Sequence, residues 1–100
     1  MHRPLYYRRN GTPYEGPNVI FKWGKDFKNP KYQIVKQSKL ENGLFVSTVW
    51  LGIDHSFTEI GPPIIFETMI FGKDVLDCMR YSTEEQALKG HEQLCRKWAS

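Results

Sequence analysis

Three side chains in this sequence have the chemistry of a small active site. Asp54 and His55 lie where a strand-like segment runs into a loop, a common position for functional side chains, and Glu67 lies inside an apolar run. If they converged, the two carboxylates and the imidazole could act as general acid and base or bind a metal. The structural alternative is that Glu67 pairs with a neighbouring cation such as Arg80 while Asp54 caps the loop backbone. We favour this alternative, because a buried carboxylate is costly unless paired and no catalytic motif accompanies it.

A second group of residues could bind a ligand or a partner without catalysis. We expect Trp50 on a mixed face of a sheet beside Thr48, Gln37 and Lys39. An indole ring framed by a hydroxyl, an amide and an ammonium group could stack on a base or anchor a protein interface. The alternative is that an N-terminal helix covers this face, in which case Trp50 belongs to the core.

The N-terminal half is basic. Residues 1–40 hold nine lysines and arginines against two acids, whereas residues 41–100 hold five against nine, and the chain's net charge is +3. Arg8 and Arg9 directly follow two tyrosines, a composition that suits contacts with phosphates and bases. The basic half could attract an anion, a nucleic acid or an acidic protein. The alternatives are a solvated dipolar surface and an edge strand protected by its arginines.

The remaining histidine and cysteine positions indicate structure more than chemistry. His91 falls on the apolar stripe of a predicted helix, where a packed, hydrogen-bonded histidine is the usual case. Cys78 and Cys95 lie at no zinc-finger spacing, and two cysteines in 100 residues predict free thiols in a reducing compartment. With no apolar signal or membrane-spanning stretch, we expect a cytoplasmic protein without metal or cofactor.

A β-hairpin must position the candidate binding residues. Asn42-Gly43 favours a two-residue type I′ turn between strands near 32–40 and 44–54. That turn pairs residues whose numbers sum to 85, so Gln37 would face Thr48. The same register assigns Phe45, Ser47 and Val49 to the core face. Further strands are predicted near 64–71 and 75–81.

Helices complete a single α+β domain spanning residues 1–100. Residues 1–16 are expected to form an arm or a short hairpin, and residues 17–81 a short helix (17–27) followed by the antiparallel meander. The C-terminal helix over 82–98 has the best-defined start, because Ser82 and Glu85 form a capping-box pattern. Its apolar stripe, which should pack on the three- or four-stranded sheet, consists of Ala87, Leu88, His91, Leu94, Cys95 and Trp98.

Parts of the sequence resemble a family of small uncharacterised proteins encoded in bacteriophages and prophages. The resemblance covers about residues 30–98 and is carried by the runs at 47–57, 65–71, 80–87 and 90–92. It implies an intracellular setting in a bacterial host, and no assigned activity or site comes with it. Small phage proteins without enzyme motifs often act by binding, for example by blocking a host defence or sequestering its signal.

These observations predict a non-enzymatic binding protein of phage type. Its partner would be a host protein or an anionic, nucleotide-like ligand, met through Trp50, Thr48, Gln37, Lys39, Arg8 and Arg9. The alternatives are a nucleic-acid-binding accessory protein and a small hydrolase or metal-dependent enzyme built on Asp54, His55 and Glu67. Two copies could also pair through an edge strand or through the mixed face.

Overall fold

The chain adopts the predicted α+β fold in a computed structural model that describes residues 3–58 and 60–99. Its elements are helices α1 (Val19–Phe27), α2 (Pro30–Gln33) and α3 (Glu84–Trp98) and strands β1 (Ile34–Lys39), β2 (Phe45–Trp50), β3 (Phe66–Phe71) and β4 (Val75–Tyr81). The strands form one antiparallel sheet in the order β1-β2-β3-β4, and α3 contacts all four. This confirms the meander, the C-terminal helix and the short N-terminal helix.

The β1–β2 hairpin is shifted by one residue from the predicted register. Lys39 pairs with Phe45 and Gln37 pairs with Ser47, so paired numbers sum to 84. The turn holds three residues, because the Gly43 N–H donates to the Leu40 carbonyl, and Gly43 has a positive φ of 90°. This is a type I turn followed by a left-handed glycine, which the Asn-Gly pair serves as well as the predicted two-residue turn.

The shift reverses which face of β2 is buried. Val46, Thr48 and Trp50 have no exposed surface and face α3, whereas Phe45 alternates to the other side. The prediction that Phe45, Ser47 and Val49 form the core face was therefore wrong. Successive strand residues point to opposite faces of the sheet. When β2 shifts by one residue against β1, every β2 side chain therefore lies on the face opposite to the predicted one.

Trp50 is the centre of an aromatic core. The ring centroids of Tyr32, Tyr14 and Phe27 lie 4.8, 6.4 and 6.3 Å from that of the indole, and the Tyr32 ring is nearly perpendicular to it. The indole N–H donates to the Tyr7 carbonyl over 3.0 Å. Trp50 therefore joins the N-terminal segment, α1 and α2 to the end of the sheet.

Helix α3 begins one residue later than predicted. Thr83, rather than Ser82, is the N-cap, since its hydroxyl accepts from the Gln86 N–H over 3.1 Å. The Gln86 amide oxygen accepts in return from the backbone N–H groups of Ser82 and Thr83. The sequence contains two overlapping capping-box patterns, Ser82–Glu85 and Thr83–Gln86, and the second one forms. The Gln86 side chain accepts from two backbone N–H groups, whereas Glu85 in the other pattern would accept from one.

The buried face of α3 differs from the predicted stripe at two positions. Leu88 is exposed, whereas Gly90 is buried against the ring of Tyr81 at the end of β4. The absence of a side chain at Gly90 is what allows the helix to approach this ring.

The C-terminal end of α3 is tied to both sides of the sheet. Asp77 on β4 accepts from Lys97 and from the Trp98 indole, each over 3.0 Å, and also from the N–H of its neighbour Cys78. On the other side, the Asn42 amide donates to the Trp98 carbonyl over 2.7 Å. These contacts fix the helix across the strands whose register the turn determines.

The N-terminal segment lies against the same end of the sheet as α1. Tyr6 bridges to Ile53 and Tyr7 to Pro13, and the Trp23 indole donates to the Leu51 carbonyl over 3.0 Å. Among the described residues, no helix combines the length and apolar character that a membrane crossing would need.

We predict that Gly90→Ala destabilises the protein by about 1–3 kcal/mol, because the added methyl group would overlap the Tyr81 side chain. Gly24→Ala is the matched control. Gly24 also lies inside a helix, but a methyl group there meets no neighbour, so the substitution should be neutral or stabilise by about 0.5–1 kcal/mol. Urea unfolding of both variants measures the difference, and equal stabilities would contradict the packing described.

Candidate functional site

Glu67 forms the structural ion pair that the sequence suggested. It lies opposite Arg80 on β3 and β4, and its carboxylate accepts from the Arg80 Nε–H over 2.9 Å. The Cys78 thiol donates to the same carboxylate oxygen over 3.5 Å. Partial burial and the Glu67 charge raise the pKa of the Cys78 thiol, so this thiol stays protonated and is a weak nucleophile at neutral pH.

Asp54 caps its loop, as the structural alternative predicted. One carboxylate oxygen accepts from the N–H groups of Ser56 and Ile64, each over 2.9 Å, and the other accepts from the Arg3 guanidinium over 2.6 Å. Burial raises the pKa of Asp54, but these donors outweigh burial and lower it to about 2. A carboxylate held ionised by four donors is a structural anchor rather than a proton donor.

His55 is bonded within the same loop. Its Nδ1 lies 2.7 Å from the Ile53 carbonyl, which can only accept, so Nδ1 is the donor of this hydrogen bond. His55 lines a shallow cavity of about 570 Å³ together with Phe57 and Leu5. Phe57 has a positive φ of 56° and is 92% exposed.

The predicted catalytic trio therefore does not form one site. Glu67 is bonded across β3 and β4, whereas Asp54 and His55 are bonded within the loop that follows β2. Over residues 3–58 and 60–99, no three His, Cys, Asp or Glu side chains group as metal ligands would. Among these described residues, no hydrogen bond joins Asp54, His55 and Glu67 to one another.

The predicted binding patch is divided between two faces of the sheet. Trp50 and Thr48 are completely buried on the helix face, so neither can meet a partner in this fold. Gln37 lies on the opposite face, where its amide reaches the Ser47 hydroxyl at 3.4 Å, and Lys39 follows on the same face. The predicted patch depends on the register of a two-residue turn. The observed three-residue turn gives a different register, in which these four residues do not share a face.

The two arginines near the N-terminus are both engaged within the fold. Arg8 lies over the Tyr14 ring at 4.7 Å and donates to the Pro13 carbonyl. Arg9 pairs with Glu84 at 2.5 Å and also donates to the Tyr32 carbonyl. The Arg9 guanidinium therefore links the N-terminal segment to the start of α3, whereas the Arg8 guanidinium packs within the segment.

His91 is a buried core residue on α3. Its Nδ1 lies 2.7 Å from the Thr48 hydroxyl and its Nε2 lies 2.8 Å from the Ser38 hydroxyl, so both ring nitrogens have partners. Burial lowers the pKa of His91, and the Lys36 ammonium group lowers it further against the opposing charge of Glu92. The imidazole is therefore a neutral link between the helix and strands β1 and β2.

The face of the sheet opposite α3 is the best remaining candidate for a functional surface. We call it the open face and define it by the side chains that alternate away from α3. It consists of Gln37, Lys39, Phe45, Ser47, Val49, Glu67, Met69, Phe71, Val75, Cys78 and Arg80. Ser47 and Glu67 are buried among their neighbours on this face, and the others are half-buried or exposed. On the other side of the sheet, residues such as Val46 and Ile70 pack against Leu94 of α3.

The open face changes character along the strands. At the end nearest the β1–β2 turn, Lys39, Phe45, Phe71 and Val75 form a continuous row of paired residues across all four strands. The opposite end carries the ion pair of Glu67 and Arg80. One end is therefore aromatic and aliphatic, and the other is charged.

The apolar end of the open face is unusually exposed for this type of sheet. Phe45 is 36% exposed, Phe71 37% and Val75 53%. An antiparallel sheet with one solvated face normally carries polar residues on it. We infer that this end of the face is suited to contact another molecule.

Sequence reasoning missed this surface because it assigned Phe45 to the core. The alternation of β2 offers two possible buried faces. The set Val46, Thr48 and Trp50 is about as apolar as the set Phe45, Ser47 and Val49. Choosing between two such faces needs the turn geometry, which the Asn-Gly pair leaves open.

Comparisons with known proteins give no relative from which a function could be transferred. No protein-family model, no curated protein and no solved structure matches the chain. Function has to be inferred from the surface of this chain itself.

We predict that stability falls as the pH drops below about 6.5, the ordinary pKa of histidine. Because the pKa of His91 is lowered in the folded protein, the unfolded chain binds more protons in this range and acidification favours unfolding. In His91→Gln, a neutral amide replaces the titrating ring, so the free energy of unfolding should vary less over this range. Urea titrations above and below pH 6.5 test this, and an unchanged pH slope in the variant would contradict it.

Proposed function

We propose that this protein acts by binding, and that its open face takes a partner protein. The observation that carries the proposal is the exposed row of Phe45, Phe71 and Val75 on a sheet face that would otherwise be polar. Aromatic side chains, phenylalanine among them, are enriched in protein interfaces relative to the rest of a protein's surface.

The composition of the face favours a protein over a small nucleotide-like ligand. Stacking of a base was expected on Trp50, which is buried. The exposed apolar end contains aliphatic Val75 beside the two phenylalanines, while Lys39 and Gln37 lie next to it on β1. An apolar centre with a polar rim is the usual composition of a protein interface.

The resemblance to small phage-encoded proteins supports a bacterial host protein as the partner. A protein of 100 residues that occupies a host surface can inhibit by exclusion alone, without chemistry of its own. Inhibition of a host defence protein is therefore the role that we propose, in the host cytoplasm.

We predict that Phe45→Ser combined with Phe71→Ser weakens partner binding at least about tenfold, because both anchors of the apolar end are removed. Phe57→Ser is the control, since it replaces a 92% exposed phenylalanine by serine in the loop that follows β2, away from the paired row. The three proteins are used to capture partners from a bacterial host lysate, followed by quantitative mass spectrometry. Calorimetry with the purified partner then measures each affinity.

Two results would overturn the proposed surface. One is a partner that the double variant binds as tightly as the wild type, with circular dichroism showing that the variant is folded. The other is self-association of the wild type, measured by sedimentation, that the double variant loses, because the occupant would then be a second copy of this chain.

A further inference from the structure

A line of lysines runs along the outer side of α1 and into α2. Lys22, Lys25, Lys28 and Lys31 recur at every third position, and all four are exposed. Residues three apart lie on neighbouring turns of a helix, so the first three follow one side of α1 and its C-cap. We call these four residues the lysine stripe.

The stripe is not balanced by neighbouring acids. Within the described chain, none of the four ammonium groups lies within ion-pair distance of a carboxylate, and Lys22 donates instead to the Glu15 backbone carbonyl over 2.7 Å. Asp26, which lies within the segment, accepts from the Tyr14 hydroxyl over 2.7 Å. Like charges on neighbouring turns destabilise a helix slightly, whereas Lys25 in the last turn of α1 interacts favourably with the negative end of the helix dipole.

An exposed aromatic ring lies among these lysines. Trp23 faces the body of the protein, where its indole donates to the Leu51 carbonyl. Phe21 is two residues away, about 200° around the helix, and therefore points to solvent with 79% of its surface exposed. Lys25 and Lys28, four and seven residues after Phe21, lie on the same side.

We propose that the lysine stripe and Phe21 form a second binding surface, which takes single-stranded nucleic acid. A linear array of cations matches the linear array of phosphates on a strand, and an exposed aromatic ring can stack on any unpaired base. An acidic protein would also satisfy the charges, and the polyglutamate arm of the test below separates it from a nucleic acid. A duplex would keep its bases out of reach of the ring. The surface is separate from the open face and does not depend on it.

Fluorescence anisotropy with a labelled oligodeoxythymidylate tests the assignment on the full-length protein, using a strand longer than site sizes of roughly 4–16 nucleotides. With four phosphate contacts, the slope of log K against log salt should be roughly −2.8. Lys25→Gln combined with Lys28→Gln should reduce its magnitude by roughly 1.4. Phe21→Ala should weaken binding roughly 5- to 150-fold at fixed salt, the range expected for loss of one stacked base.

The matched control is Lys73→Gln combined with Lys89→Gln, which removes the same charge from exposed positions outside the stripe. This control should leave the slope unchanged, as should the double substitution of Phe45 and Phe71. Three results would overturn the proposal: no salt-dependent binding, equal losses in the stripe variant and the control, or binding to polyglutamate or to a DNA duplex as tight as to the single strand.

Discussion

The three-residue turn at residues 41–43 is the constraint on which the rest of the structure depends. Gly43 in the left-handed conformation closes the turn, and the Asn42 side chain accepts from the Leu44 N–H and donates to the end of α3. A turn shorter by one residue would change every pair between β1 and β2. The conformation of this turn therefore decides which residues of β2 lie on the same face of the sheet as a given residue of β1.

The consequences of this register extend through the core. It places Ser38 and Thr48 on the same face, so that His91 can bond to both hydroxyls. It also buries Trp50 against the aromatic residues of the N-terminal segment and of α1. The same alternation turns Phe45 outward beside Phe71, which creates the apolar end of the open face. The β1–β2 register therefore determines both the composition of the core and the composition of the candidate surface.

Elements and local pairs could be predicted from the sequence, because they depend on short-range patterns. The strands follow from alternation, and Glu67 had to find a cation, for which Arg80 was the available neighbour on β4. The observed start of α3 lies one residue after the predicted start, because Ser82 and Thr83 both begin a capping-box pattern. The candidate surface could not be predicted, since Asn42-Gly43 fits two turn lengths that differ by one residue and each buries a different face of β2.

The most direct test of this account is the register of the first hairpin in solution. Leu40 and Leu44 form a hydrogen-bonded pair, so Gln37–Ser47 and Lys39–Phe45 are non-hydrogen-bonded pairs, in which opposing α-carbons approach to about 4.5 Å. Nuclear Overhauser spectra should show close contacts between the α-protons of each of these two pairs. Close α-proton contacts between Ser38 and Ser47, or between Leu40 and Phe45, which are the non-hydrogen-bonded pairs of the two-residue turn, would contradict the register and with it the open face.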